Sequence, residues 1–217
     1  MRQVDIGVST NRGGLARMVD RLRAQGIRDE KVLDAMGRVP RERFVDEGLG
    51  YSAFDDTPLP IGYQQTISQP FVVARMLEIL RAGRELGKTL EVGAGCGYQA
   101  AVLAQLATEV YAVERIRPLL EKAKENLRPL RLPNLRLKHA DGMLGLAEVA
   151  PFDTIIVAAA AREVPAELKQ QLASGGRLLL PVGVAEQRLV LIERNGNLFK
   201  ESGYEGVRFV PLLGGVE

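Results

Sequence analysis

The stretch Leu90-Glu91-Val92-Gly93-Ala94-Gly95-Cys96-Gly97-Tyr98 decides how this chain is read. A short apolar run ends in glycines, and a helical pattern, 98–107, begins directly behind them. Residues without a Cβ let the backbone turn sharply from strand to helix and lie close against a ligand. Seventeen residues past Gly97, the apolar run 109–113 ends on Glu114. A carboxylate at the end of the next strand stands where it can accept hydrogen bonds from both hydroxyls of a ribose. The pattern is that of a strand-loop-helix that captures adenosine.

The spacing argues against a dinucleotide. That fingerprint is G-x-G-x-x-G, whose third glycine permits close helix packing below a pyrophosphate. Here position 98 is Tyr, which disfavours an NAD-dependent oxidoreductase. The pattern is G-x-G-x-G with Glu91 two residues ahead of it, and an acid beside the loop suits a cationic ligand. S-adenosylmethionine has an adenosine, a sulfonium and an ammonium, so Glu91, Gly93, Gly95, Gly97 and Glu114 are its expected contacts.

Composition narrows the class. With 217 residues, 46% hydrophobic and 26% charged, the chain can bury a core as a single domain over 1–217. Within it, 1–84 supplies N-terminal helices and an active-site loop, and 85–217 a cofactor-binding α/β core. No apolar run reaches membrane length, and Met1-Arg2-Gln3-Val4-Asp5 lacks the apolar core of a secretion signal, so a cytoplasmic location is expected. One cysteine, Cys96, and one histidine, His139, offer no metal-ligand cluster, and no metal is expected. The net charge of +2 gives no reason to expect nucleic acid or an acidic membrane as partner.

Apolar positions at helical spacing predict helices over 14–25, ended by Gly26, and from Asp29, an N-cap, to Pro40. Residues 46–67 show neither helical nor strand periodicity and read as a long structured loop, uncommon unless it covers a site. Ser68 reads as the N-cap of a third helix, with Pro70 in its first turn and Gly83 closing it. From residue 89 onward strand and helix alternate: strands 89–92, 109–113, 135–139, 152–157 and 177–182, with helices 98–107, 117–128 and 164–172. Such alternation predicts a Rossmann-like, doubly wound, mostly parallel sheet behind an N-terminal helical addition. Asn195-Gly196 between 189–194 and 198–202 predicts a C-terminal antiparallel hairpin, and 207–212 a last strand.

In such a sheet ligands bind at the carboxyl ends of the strands, near the point where strand order reverses. Asp141 with Gly142 follows the third strand of the core. Its carboxylate reads either as an acceptor from the adenine amine or as a turn residue. The other polar stretch is Gln65-Thr66-Ile67-Ser68-Gln69-Pro70, whose hydroxyls and free N–H groups at a helix start can hold a carboxylate. Ser68 reads either as a plain cap or as a cap that also orients substrate. Cys96 reads as packing inside the loop.

These segments together resemble one family. Arg38-Val39-Pro40-Arg41-Glu42-Arg43-Phe44-Val45, Leu59-Pro60-Ile61-Gly62, the Gln65 to Pro70 stretch, the glycine loop, Ala150-Pro151-Phe152-Asp153, Gly175-Gly176-Arg177-Leu178 and Val207-Arg208-Phe209-Val210-Pro211-Leu212 are similar to bacterial protein-L-isoaspartate O-methyltransferases. The glycine loop is common to many methyltransferases; the Thr66-Ile67-Ser68 stretch is more specific. The resemblance implies S-adenosylmethionine as donor, S-adenosylhomocysteine as product, and proteins or peptides bearing L-isoaspartate as acceptors; a monomer is the expected state. It marks Ser68 as the active-site serine, with Thr66, Ile67 and Gln69 beside it at the cofactor and Ile61, Thr66, Ser68 and Val210 toward the substrate. Ala94, Cys96 and Ala140 depart from the usual small residues there, and Phe71 stands where some relatives carry His. Two rivals stay open: a methyltransferase of the same fold acting on another carboxylate or small molecule, and a non-catalytic S-adenosylmethionine sensor.

Overall fold

A computed structural model describes residues 11–217; Met1 to Asp5, read above for a secretion signal, lie outside the described residues. Helix α1 (Arg12–Ala24) starts where the Asn11 side chain accepts from Gly14 N–H at 2.8 Å, and α2 (Glu30–Arg38) where Asp29 accepts from Lys31 and Val32 N–H. Short 3-10 turns then lead to the hairpin β1 (Leu59–Gly62) and β2 (Gln65–Ile67), followed by α3 (Pro70–Arg81). The core continues as β3 (Lys88–Val92), α4 (Tyr98–Leu106), β4 (Glu109–Glu114), α5 (Arg117–Leu127), β5 (Leu135–His139), β6 (Phe152–Val157), α6 (Ala166–Gln170), β7 (Leu172–Val182), β8 (Gln187–Asn195) and β9 (Leu198–Val207).

Seven strands form one sheet in the order β5-β4-β3-β6-β7-β8-β9. Strands β3 to β7 are mutually parallel, and β8 and β9 each run antiparallel to their neighbours. Alternation along each strand sorts side chains to the two faces. Ile156, Leu179, Leu189 and Leu191 join Met18, Leu33, Met36, Met76 and Leu77 of the first three helices and Leu103 of α4 in one core. Their neighbours Ile155, Val157, Leu178, Leu180, Val190 and Ile192 face the other way, onto Leu168 of α6. The first face also holds Leu119 and Ala123 of α5. Right-handed crossovers account for this: the chain winds β3 to β5 in one direction and β6 to β7 in the other, so the helices between them fall on opposite faces.

Four local expectations are corrected. Residues 46–67 are not wholly irregular: 59–67 pair as a hairpin in which Leu59, Ile61 and Ile67 point inward. Helix 164–172 shortens to α6, because Pro165 takes the N-cap position and Leu172 already pairs with Phe152. Residues 207–212 form no strand; beyond Val207 only Pro211 bridges Ala160. Finally, Ser68 does not cap α3. Gln69 occupies the N-cap position without a side-chain bond, and Asp56 Oδ1 accepts from Phe71 N–H at 2.9 Å instead.

Candidate active site

The order of the sheet reverses beside β3, whose neighbours β4 and β6 lie on either side of it, and a cleft opens at the carboxyl ends of these strands. Its floor is the glycine loop. Gly93 and Ala94 N–H both donate to Val113 O, at 2.9 and 3.0 Å, which pins the loop to β4. Gly95, at φ +54°, turns its N–H to Glu114 Oε2 at 2.8 Å, while Glu114 Oε1 accepts from Ile116 N–H at 2.9 Å. Each oxygen thus keeps a second lone pair for a ligand hydroxyl.

Glu91 faces the opposite side of β3 from Leu90 and Val92. It is fully buried, and among the described residues neither of its oxygens has a hydrogen-bond partner. Burial pushes its carboxyl well above the usual range; the nearby Gln99 amide opposes the shift, and the charge of Glu114 adds to it. A cationic ligand beside it would oppose that shift by favouring the ionised carboxylate. Among the described residues the one basic side chain lining the cleft, Arg115, is held by Gly215 O, Gly214 O and Glu217 Oε1. The cleft therefore offers carboxylates and no uncommitted cation, a donor set that fits a sulfonium-ammonium ligand with a ribose and not a diphosphate.

A second cavity adjoins the first. Thr66, Ser68, Ala158 and the segment 210–213 line both, so these residues form the passage between them. Ser68 is half-buried and its hydroxyl is free of the capping role, which Asp56 fills. Its carbonyl accepts from Arg41 Nη2 at 2.7 Å. Arg41 is wholly buried, donates through Nε to Ala53 O at 2.7 Å, and lies 4.6 Å over the Tyr98 ring. Burial pulls its pKa down, with the Tyr98 and Cys96 groups opposing. The same burial pushes the Cys96 thiol up to about 11, so it stays protonated and packs.

Most residues expected from sequence meet here. Ile61, Thr66, Ile67, Ser68, Glu91, Gly93, Gly95, Glu114, Gly142 and Val210 line the cleft. Gln69 lines only the second cavity. Gly97 lies outside both: a Cβ there would come within 2.8 Å of Leu127 Cδ1, so its glycine serves the packing of α4 against α5. Asp141 also stands back. Its Oδ1 accepts from Met143 N–H and its Oδ2 from Gly215 N–H, the turn alternative of its two readings. Ile61 borders the cleft and not the second cavity, its Cδ1 3.2 Å from where a Gly95 Cβ would sit. Arg41 and Asp56 carried no role in the sequence reading. The spacing of Arg41 to Phe44, also fully buried, is the one signal that could have placed that arginine inward.

Residues 15–217 match the sequence model of the family described as protein-L-isoaspartate(D-aspartate) O-methyltransferase (PCMT). The chain is 73% identical over 217 residues to a protein-L-isoaspartate O-methyltransferase of Aromatoleum aromaticum, covering 100% of this chain and 99% of that one. It is 75% identical over 203 residues to that of Azoarcus sp. strain BH72, covering 93% and 94%. A solved protein-L-isoaspartate O-methyltransferase superposes with a TM-score of 0.83 at 27% identity, over 93% of this chain and 67% of that chain. A proposed Plasmodium falciparum enzyme of the same description, in complex with S-adenosyl-L-homocysteine, gives a TM-score of 0.81 at 27% identity, over 91% and 97%.

Proposed function

The chain belongs to the protein-L-isoaspartate(D-aspartate) O-methyltransferase family, and on that premise we propose how its own residues divide the work. The reaction moves the methyl group of S-adenosylmethionine to the α-carboxylate of L-isoaspartyl residues in proteins or peptides. The methyl ester so formed can cyclise to a succinimide and reopen in part as ordinary aspartate, which makes the reaction the first step of a repair. The observation that carries the division of labour is the passage at Thr66, Ser68 and 210–213, where two cavities of different chemistry meet.

The cleft is the donor side. Gly93 and Gly95 allow close approach of the cofactor, Glu114 accepts from its ribose, and Glu91 answers its positive charge. Gly142 and Ile67 close the walls. Asp141, by holding Gly215, shapes the adenine end from outside it. Bound S-adenosylmethionine supplies an electrophilic methyl on a sulfonium. The second cavity is the acceptor side, with Thr66, Gln69 and Val210 at its mouth.

No general base is required, because an α-carboxylate is ionised at neutral pH. The protein's contribution is then position. Holding nucleophile and methyl carbon in near-attack geometry can lower a barrier by roughly 7–11 kcal/mol. Ser68 is assigned to orient the acceptor carboxylate through its hydroxyl, without the tight charge pairing that would blunt a nucleophile. Arg41 supports it from behind, through the Ser68 carbonyl. Action as a monomer over the whole of 1–217, in the cytoplasm and without nucleic acid or membrane, belongs to the same proposal. No helix among the described residues is long and apolar enough to cross a membrane, and one core joins the first helices to the sheet.

Transfer of labelled methyl to an isoaspartyl peptide beside its aspartyl twin tests the acceptor. Base-labile label on the first and none on the second is the expected outcome. Equal labelling of both, or labelling of neither, would overturn it.

A further inference from the structure

The acceptor cavity carries a charge pattern that the near-neutral chain does not announce. Six charged side chains line it: Arg75, Arg162, Glu186, Arg188, Glu205 and Arg208. Arg75 is engaged within the wall, its Nε on Glu205 at 2.6 Å and its Nη1 on Glu78 at 2.9 Å. Arg162, Arg188 and Arg208 are exposed and make no hydrogen bond or ion pair among the described residues. Glu186 is the one acid of the wall without a partner there. Three uncommitted guanidinium groups therefore face one uncommitted carboxylate.

Their backbones are held while their heads are free. Arg162 follows Ala161, whose N–H donates to Pro181 O at 3.0 Å and whose O accepts from Gly183 at 2.9 Å. Arg188 pairs with Gly206 across β8 and β9. Arg208 precedes Phe209, whose N–H and O are both bonded to the Gln187 amide, at 2.7 and 3.1 Å. Cations rooted this way along a concave wall concentrate anions in it and pair well with carboxylates.

We propose that Arg162, Arg188 and Arg208 set acceptor preference, so that isoaspartyl segments flanked by acidic side chains are methylated ahead of those flanked by basic ones. The proposal rests on the second cavity being the acceptor groove. Each exposed pair contributes little, but three along one groove act in the same direction and chiefly through encounter and KM. The acceptor's own α-carboxylate is drawn by the same field.

The test compares three isoaspartyl peptides that differ only in flanking Glu, Gln or Lys. The expected kcat/KM order is Glu, Gln, Lys, with about tenfold between the ends at low salt, mostly in KM, and a smaller spread at high salt. The triple variant R162E/R188E/R208E should reverse the order. Should that variant fail to fold, the single variants, each expected to narrow the spread about twofold, carry the test. Equal kcat/KM for all three peptides, or an order that survives charge reversal, removes the preference while leaving the acceptor assignment standing. Methylation of none of the three removes the acceptor assignment itself.

Discussion

The donor cleft and the acceptor groove share a wall and are built on opposite terms. The cleft is made of backbone and buried acid: a loop pinned by Val113 O, Glu114 bonded to Gly95, and Glu91 wholly enclosed. The groove is lined by side chains from scattered places: half-buried Phe71 and Arg75 on α3, exposed Arg162 and Arg188, and residues 207–213. A cofactor that never varies can be met by a site fixed by backbone and buried acid. A damaged residue arises in many sequence contexts, so a groove that accepts it would read general features such as charge and an open path.

That contrast can be broken by substitutions that should damage one side and spare the other. The largest effect is expected from Gly95→Val. A β-branched residue at φ +54° is strained by roughly 1–3 kcal/mol, and its Cβ would crowd Ile61 and the ligand space. S-adenosylmethionine binding measured by calorimetry should be lost; normal affinity in this variant would mean that the loop does not cradle the cofactor. Next comes Glu114→Ala, which removes a charged acceptor and frees the Gly95 N–H. Cofactor affinity should fall by about 1.5–3 kcal/mol, with the peptide KM at saturating cofactor nearly unchanged. A peptide KM that rises with it would show the two sites to be less separate than drawn.

The smallest and sharpest comparison pairs Ser68→Ala with Asp56→Ala. Ser68→Ala should lower kcat/KM for an isoaspartyl peptide by about 10- to 100-fold, or roughly 1.4–2.7 kcal/mol, with cofactor affinity and melting temperature intact. Asp56→Ala should do the reverse, costing about 1 kcal/mol of stability through the lost cap on α3. Thermal melts and steady-state kinetics on both proteins decide it. Normal kinetics for Ser68→Ala would end its orienting role, and complete inactivity of a folded, cofactor-binding variant would demand a chemical role that attack by an ionised carboxylate does not need.

The same contrast governs what the sequence disclosed. The cleft was legible because its residues are contiguous: three glycines fix a turn, and Glu114 follows at the end of the next strand. Strands 135–139 and 152–157 stood out by apolar periodicity and fall where expected. The hairpin β1–β2 stayed hidden because Tyr63 and Gln64, at φ +53° and +57°, take left-handed conformations that usually advertise themselves through Gly or Asn. The groove was hardly visible, since nothing local in Arg162 or Arg188 says that folding brings them to one wall. Ser68 misled for a further reason. A hydroxyl two residues before Pro70 has the local signature of a cap, and only tertiary structure reveals that Asp56, a dozen residues upstream, takes that task.

Arg41 has a consequence for how the site comes apart. Its guanidinium bonds Ala53 O and Ser68 O and covers the ring of Tyr98, the residue that follows the glycine loop. Three stretches distant in the chain are thus fastened to one side chain; its Nη1 has no hydrogen-bond partner among the described residues, so releasing either carbonyl would leave still more donors of this buried cation unmet, a costly state. Ser68, the segment in front of it and the glycine turn are therefore bound to a common unfolding event. Denaturant should not find an intermediate in which one half of the catalytic centre has melted while the other waits intact.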